Sequence, residues 1–227
     1  RQLEYYHQYR ANIERGVHRL SQRASSEYEA ARGKVASFIN AAHSDEIVMT
    51  KNTSEGINIV ASGLKWHPGD RVVTTLLDHH SNYIVWLRLK EKYSIDMQVV
   101  ESSSQGFLNL DDFEKAINEK TRLVALTHVS NVLGTITPVK EVAELAHRRG
   151  ALVLVDGAQS VPHMRVDVRD LGCDFLAFSG HKMCGPTGSG ALYIRRGLED
   201  KIEPAAIGGG TIKDVGLDYY ALTKSPE

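Results

Sequence analysis

Ala151-Leu152-Val153-Leu154-Val155-Asp156 is a run of apolar residues that ends in a carboxylate. A strand with one wet face alternates apolar and polar residues. A run with no polar position is buried on both faces, the pattern of a parallel sheet covered by helices on either side. The flanks agree. Pro138 stands in the first turn of a helix running to residue 149, and Gly150 ends it. Outward from this unit the alternation repeats. Strands are predicted over 46–50, 71–76, 97–100, 122–129, 174–178 and 190–194. Helices are predicted from Ser25-Ser26-Glu27, with Tyr28, Ala31, Val35 and Phe38-Ile39 as the stripe; from Thr53; and over 81–93 and 110–118. Residues 1–23 mix tyrosines, histidines and charges without a clean period and read as an irregular or partly helical arm. The expected fold is α/β, one domain of three αβα layers around a mainly parallel sheet with right-handed crossovers.

Bulk composition narrows the function. The chain has 227 residues, with 27 Lys+Arg against 28 Asp+Glu and a net charge of -1. That balance points to neither nucleic acid nor an anionic membrane as partner. An apolar run of about 18 residues, the minimum for a membrane helix, is missing. Two cysteines, Cys173 and Cys184, give neither a disulfide framework nor paired zinc spacing, and a reducing cytoplasmic setting is expected.

In an open α/β sheet, ligands bind beyond the C-terminal ends of the strands. Five such ends carry polar residues here. Thr53 and Ser54 stand at a helix start, where backbone N–H groups and hydroxyls can hold a phosphate or simply cap the helix. Asp78-His79-His80-Ser81-Asn82 offers an imidazole, as base or ring partner; adjacent histidines face different ways and make a poor metal pair. Asn131 offers an amide, or an ordinary turn residue. Asp156 needs a partner if buried: a protonated ring nitrogen, a helix cap or an arginine. The fifth end is Phe178-Ser179-Gly180-His181-Lys182, an amine able to form a Schiff base. Taken together they match one ligand with a phosphate, an aromatic ring, a ring nitrogen and an aldehyde, as in pyridoxal phosphate. The run from Gly185 to Gly190 lacks the spacing of a nucleotide-binding loop.

With those residues in view, the chain resembles the class V aminotransferase family of fold-type I pyridoxal-phosphate enzymes, most closely group II cysteine desulfurases and selenocysteine lyases. The resemblance is carried by Arg15-Gly16-Val17-His18, Thr53-Ser54-Glu55-Gly56-Ile57-Asn58, Asp78-His79-His80-Ser81-Asn82, His128-Val129-Ser130-Asn131-Val132-Leu133-Gly134, Val155-Asp156-Gly157-Ala158-Gln159-Ser160, and Ser179-Gly180-His181-Lys182 with Gly185-Pro186-Thr187-Gly188. It implies that residues 1–227 are the cofactor-binding large domain. It implies that Lys182 carries pyridoxal 5'-phosphate and then acts as proton-transfer base, with Asp156 on the pyridine nitrogen and Gln159 on the ring hydroxyl. His80 would stack on the ring, Asn131 would face the ring oxygen or the substrate carboxylate, and Thr53, Ser54, Ser179 and His181 would hold the phosphate. The implied reaction takes L-cysteine to L-alanine in a homodimer and hands sulfur to an acceptor or Fe–S scaffold protein. Selenocysteine lysis, kynureninase-like or epimerising chemistry, and a cofactor-binding fragment without activity are the alternatives.

Two departures from the family pattern are expected to matter. The chain stops before the small C-terminal domain of the family, to which the persulfide-forming cysteine and the carboxylate-binding arginine belong. Cys173 reads as a packing residue, and Cys184 is not at the nucleophile position. In Gly208-Gly209-Gly210-Thr211-Ile212-Lys213-Asp214, Asp214 stands near where relatives place a hydroxyl for the partner subunit's phosphate.

Overall fold

The computed structural model describes residues 2–13, 16–208 and 211–223. The chain runs α1 (Gln2–Glu4), α2 (Arg19–Phe38), β1 (Ile47–Thr50), α3 (Thr53–Gly63), β2 (Arg71–Thr75), α4 (Ile84–Tyr93), β3 (Asp96–Val100), α5 (Leu110–Ala116), β4 (Thr121–Thr127), α6 (Val139–Arg148), β5 (Leu152–Asp156), α7 (Ser160–His163), α8 (Val168–Leu171), β6 (Phe175–Ser179), β7 (Gly190–Ile194), β8 (Ile212–Val215) and β9 (Tyr220–Leu222). β1 to β7 form one sheet in the order β1-β7-β6-β5-β4-β2-β3. β3, β2, β4, β5 and β6 pair in parallel, whereas β7 is antiparallel to both β6 and β1.

The unbroken apolar strands divide their side chains between two cores. Val124, Leu126, Val153, Val155, Leu176 and Phe178 pack under α2, α5, α6, α7 and α8. Leu123, Ala125, Leu154, Phe175 and Ala177 pack under α3 and α4, around the fully buried Trp86. Three αβα layers follow directly from this division.

The antiparallel strand has a chain-length cause. A parallel neighbour needs a crossover of a dozen or more residues. Only residues 180–189 connect β6 to β7, so the chain turns back, and Lys182 lies within that connection as the end of a short 3-10 turn, Gly180–Lys182. At the opposite end of the sheet, the fully buried Asp174 ties four elements together. Arg195 Nη2 lies 2.6 Å from its Oδ1, His147 Nε2 lies 2.9 Å from its Oδ2, and Val153 N donates to Oδ2 at 2.7 Å.

Helix α2 departs from the sequence expectation by starting at Arg19, ahead of Ser25. His18 caps it, accepting from Ser21 N through Nδ1 at 3.3 Å. Its buried stripe begins with Ser21 and Ala24 under the N-terminal arm. That arm is held by Arg23, whose guanidinium lies 4.3 Å from the Tyr9 ring centroid and 3.3 Å from Glu4. A histidine cap and small buried residues give little periodic signal. The hairpin of β8 and β9 was also not expected. Arg15, Gly209 and Gly210 of the resembling motifs lie outside the described residues.

Gly190 joins this frame to the ligand-binding end. A Cβ added there would sit 2.7 Å from Phe178 O and 2.9 Å from Asn52 Cα. Asn52 in turn caps α3, accepting from Glu55 N at 2.9 Å. Gly190→Ala must push β7 and the α3 cap apart. We expect a loss of about 1–3 kcal/mol of stability, read as a lowered denaturant midpoint; an unchanged midpoint would refute the close approach.

Candidate functional site

The C-terminal ends of β1, β4, β5 and β6 and the turn after β2 surround a cavity of about 290 Å³. Thr53, Ser54, Asn131, Asp156, Gln159, Ser179, His181 and Lys182 all line it, as the strand-end reading requires. Asn52, Ser81, Thr127 and Ala158 line it as well, and the sequence assigned none of these four a role of its own. A larger hollow of about 580 Å³ lies between α3 and residues 199–206 and contains none of the predicted site residues.

Residues distant in sequence close the α3 side of the cavity. Thr53 N donates to Ser179 Oγ at 2.8 Å, and the hydroxyls of Thr53 and Ser179 lie 2.7 Å apart. Both residues are buried. The helix start therefore arrives with two hydroxyls fixed beside it and with Ser54 as its second residue, on an 11-residue helix whose N-terminus favours anions.

Asp156 is 3% exposed at the end of β5. Burial pushes its carboxyl above the usual range, against the pull of Ala158 N and the Lys182 amine. Among the described residues its one hydrogen bond comes from Ala158 N, at 2.9 Å to Oδ1. A nearly buried carboxylate with one donor retains acceptor capacity for a group in the cavity.

The histidine assignment needs correction. His79, not His80, lines the cavity. His80 is exposed and begins a 3-10 turn, His80–Asn82, with its ring centroid 3.9 Å from that of His79. The turn starts one residue after His79, which leaves His79 in extended backbone facing the strand ends. In the sequence the two adjacent histidines were indistinguishable without the position of that turn. Ser81 N donates to His79 Nδ1 at 3.2 Å, and Ser81 Oγ lies 3.0 Å from the same nitrogen. An accepting Nδ1 puts the proton of the neutral ring on Nε2.

Asp214 lies on β8, where its Oδ2 accepts from Tyr219 OH at 3.0 Å. Cys173 is buried in the core, and burial pushes its thiol up. Cys184 is exposed with φ 58°, a left-handed conformation unusual for cysteine. Among the described residues, no group of three or more His, Cys, Asp and Glu could hold a metal ion, and no helix is long and apolar enough to cross a membrane.

Burial first, and then the charges of His80 and Lys182, depress the His79 imidazole below the ordinary value of 6.5. The ring is therefore neutral at pH 7. In an NMR titration of the cofactor-free chain its midpoint should fall below that value. Removing the like charge in Lys182→Ala should move the midpoint upward; an unmoved midpoint would show that the amine does not face His79.

The comparisons with known proteins follow this geometry. The family model for Aminotransferase class-V matches residues 1–227. A probable cysteine desulfurase of Pyrococcus abyssi is 53% identical over 227 residues, covering 99% of this chain and 56% of that protein. One from Halalkalibacterium halodurans is 49% identical over 217 residues, covering 94% of this chain and 53% of that protein. In three dimensions, the apo structure of a cysteine desulfurase from Thermococcus onnurineus NA1 superposes with a TM-score of 0.93 at 52% identity, covering 98% of this chain and 56% of that one. The chain thus spans about half the length of the curated relatives it matches. On the extent of these matches and the strand-end site they share a fold with, the chain belongs to the class V aminotransferase family.

Proposed function

We propose that the protein is a pyridoxal-phosphate-dependent cysteine desulfurase, converting L-cysteine to L-alanine and passing sulfur to an acceptor protein such as an Fe–S scaffold. One observation carries the reading: an amine, a nearly buried carboxylate and a hydroxyl-lined helix start line a single cavity, in a chain about half identical to cysteine desulfurases. When bound, pyridoxal phosphate supplies an electron sink at the α-carbon of the amino acid.

The residues fit that group. The start of α3, with the hydroxyls of Thr53, Ser54 and Ser179 and with His181, offers N–H and O–H donors to its phosphate. Asp156 has the capacity to accept from its ring nitrogen, and burial strengthens that bond by excluding water. Gln159 would donate to the ring hydroxyl oxygen, and Asn131 to that oxygen or to the substrate carboxylate. His79 takes over the ring-facing role first read for His80. With its imidazole held below the ordinary value, it would face the ring without adding a second positive charge beside Lys182. Lys182 would hold the cofactor through its amine and would move a proton at the α-carbon of the substrate. Neither cysteine of this chain is placed to take the sulfur: Cys173 is buried away from the cavity, and Cys184 is not among its lining residues. As the family resemblance implies, that role would fall to a cysteine of the small C-terminal domain.

The reading includes a homodimer with the site at its interface and a cytoplasmic location. Val132, Leu133 and Ile136 are 80%, 57% and 59% exposed on the segment that follows Asn131, an apolar rim suited to a second subunit.

Two measurements test the proposal. With pyridoxal phosphate and borohydride, the protein should gain a covalent adduct on the Lys182 peptide, and prior L-cysteine should diminish that adduct. Lys182→Ala should keep less than about one hundredth of the adduct. An undiminished adduct in that variant would reject the assignment. Sedimentation should give a dimer that Leu133→Asp shifts toward monomer; a dimer unaffected by Leu133→Asp together with Val132→Asp would remove this segment from the interface.

A further inference from the structure

Asp78 has no role in the reading above, yet it is the most heavily bonded side chain beside the cavity. It follows β2 and precedes His79. Its Oδ2 accepts from Thr74 Oγ1 at 3.2 Å, Thr75 N at 3.0 Å and Thr75 Oγ1 at 2.7 Å. Its Oδ1 accepts from Asn82 Nδ2 at 2.8 Å. Both carboxylate oxygens are thereby committed, one to the end of the strand and the other across the turn.

Asn82 depends on this carboxylate. It is fully buried, and its own Oδ1 finds no hydrogen-bond partner among the described residues. Asn82 N also donates to His79 O at 2.7 Å. An unbroken path therefore runs from the end of β2 through Asp78 and Asn82 to the backbone of His79, whose ring is then fixed by Ser81. The residues on either side of His79 are anchored, and the imidazole has one setting toward the cavity.

We propose that Asp78 is a positioning residue: its carboxylate braces the turn 75–82 and so fixes the orientation and tautomer with which His79 meets the cofactor. The functional half of this statement rests on the cavity being a pyridoxal-phosphate site; the bracing of His79 does not. The demand is for a carboxylate specifically. An amide accepts on one atom only, so Asn at this position would present an NH₂ group either to the Thr74 and Thr75 donors or to Asn82. Burial of the carboxyl pushes Asp78 up to about 7, with the Thr75 hydroxyl, the Asn82 amide and Thr75 N pulling the other way. The full set of bonds is therefore in place on the alkaline side, and the test belongs at pH 8.

The test is Asp78→Asn in the full chain. In the cofactor-free protein, imidazole ¹⁵N shifts should report a single His79 tautomer in the wild type and a tautomer mixture in Asp78→Asn, with the remote His147 unchanged. In titrations with pyridoxal phosphate, half-saturation should rise about tenfold, while Lys182 remains the trapped residue. Thr75→Val, which removes one donor and nearly preserves shape, should move both readouts in the same direction by less, and it decides the matter if Asp78→Asn does not fold. Unchanged His79 shifts in the folded variants overturn the proposal. A wild-type chain that binds no pyridoxal phosphate would reject the cofactor reading, and the ¹⁵N shifts would still decide whether Asp78 braces His79.

Discussion

Burial on both faces of the central strands constrains everything else in this molecule. β4, β5 and β6 pack against helices above and below, and their interior positions are filled by Val, Leu, Phe and Ala. A polar group within that layer would have to find all its partners there. Polar chemistry is therefore confined to the strand ends, and parallel pairing brings the C-terminal ends of β2, β4, β5 and β6 to one edge. The site is a consequence of the sheet: residues as distant in sequence as Thr53 and Ser179 meet because their strands end at the same level.

Much of this was legible in the sequence. Five consecutive apolar residues ending in Asp156 gave the parallel layer, and the residues just past the strands gave most of the cavity wall. What could not be read depended on geometry beyond the local pattern. The antiparallel turn of β7 follows from the length of its connection to β6, not from any residue within it. The early start of α2 depends on a histidine cap and on an arm packing over small residues. The exchange of His80 for His79 depends on where a three-residue turn begins. Hydrophobic period sets which face is buried, whereas a single-residue phase in a loop is set by hydrogen bonds that periodicity does not encode.

Two buried aspartates on neighbouring strands separate structural from functional demand. Asp174 precedes β6 and Asp156 ends β5, and in sequence both are carboxylates flanking an apolar strand. Asp174 meets Arg195, His147 and Val153 N, so its charge is answered within the fold. It locks the end of the sheet away from the cavity, and removing one partner would leave an uncompensated buried charge. Asp156 has one bond from Ala158 N and a cavity on its other side. An ionised carboxylate in that setting is costly unless something positively charged or N–H-bearing arrives from outside the chain. The Lys182 amine on the cavity wall supplies only part of that compensation, because burial still dominates and holds the Asp156 carboxyl up. The imbalance at Asp156, set against the balance at Asp174, is the physical reason to expect a ring nitrogen there: of these two buried aspartates, the fold has answered one and left the other for a ligand.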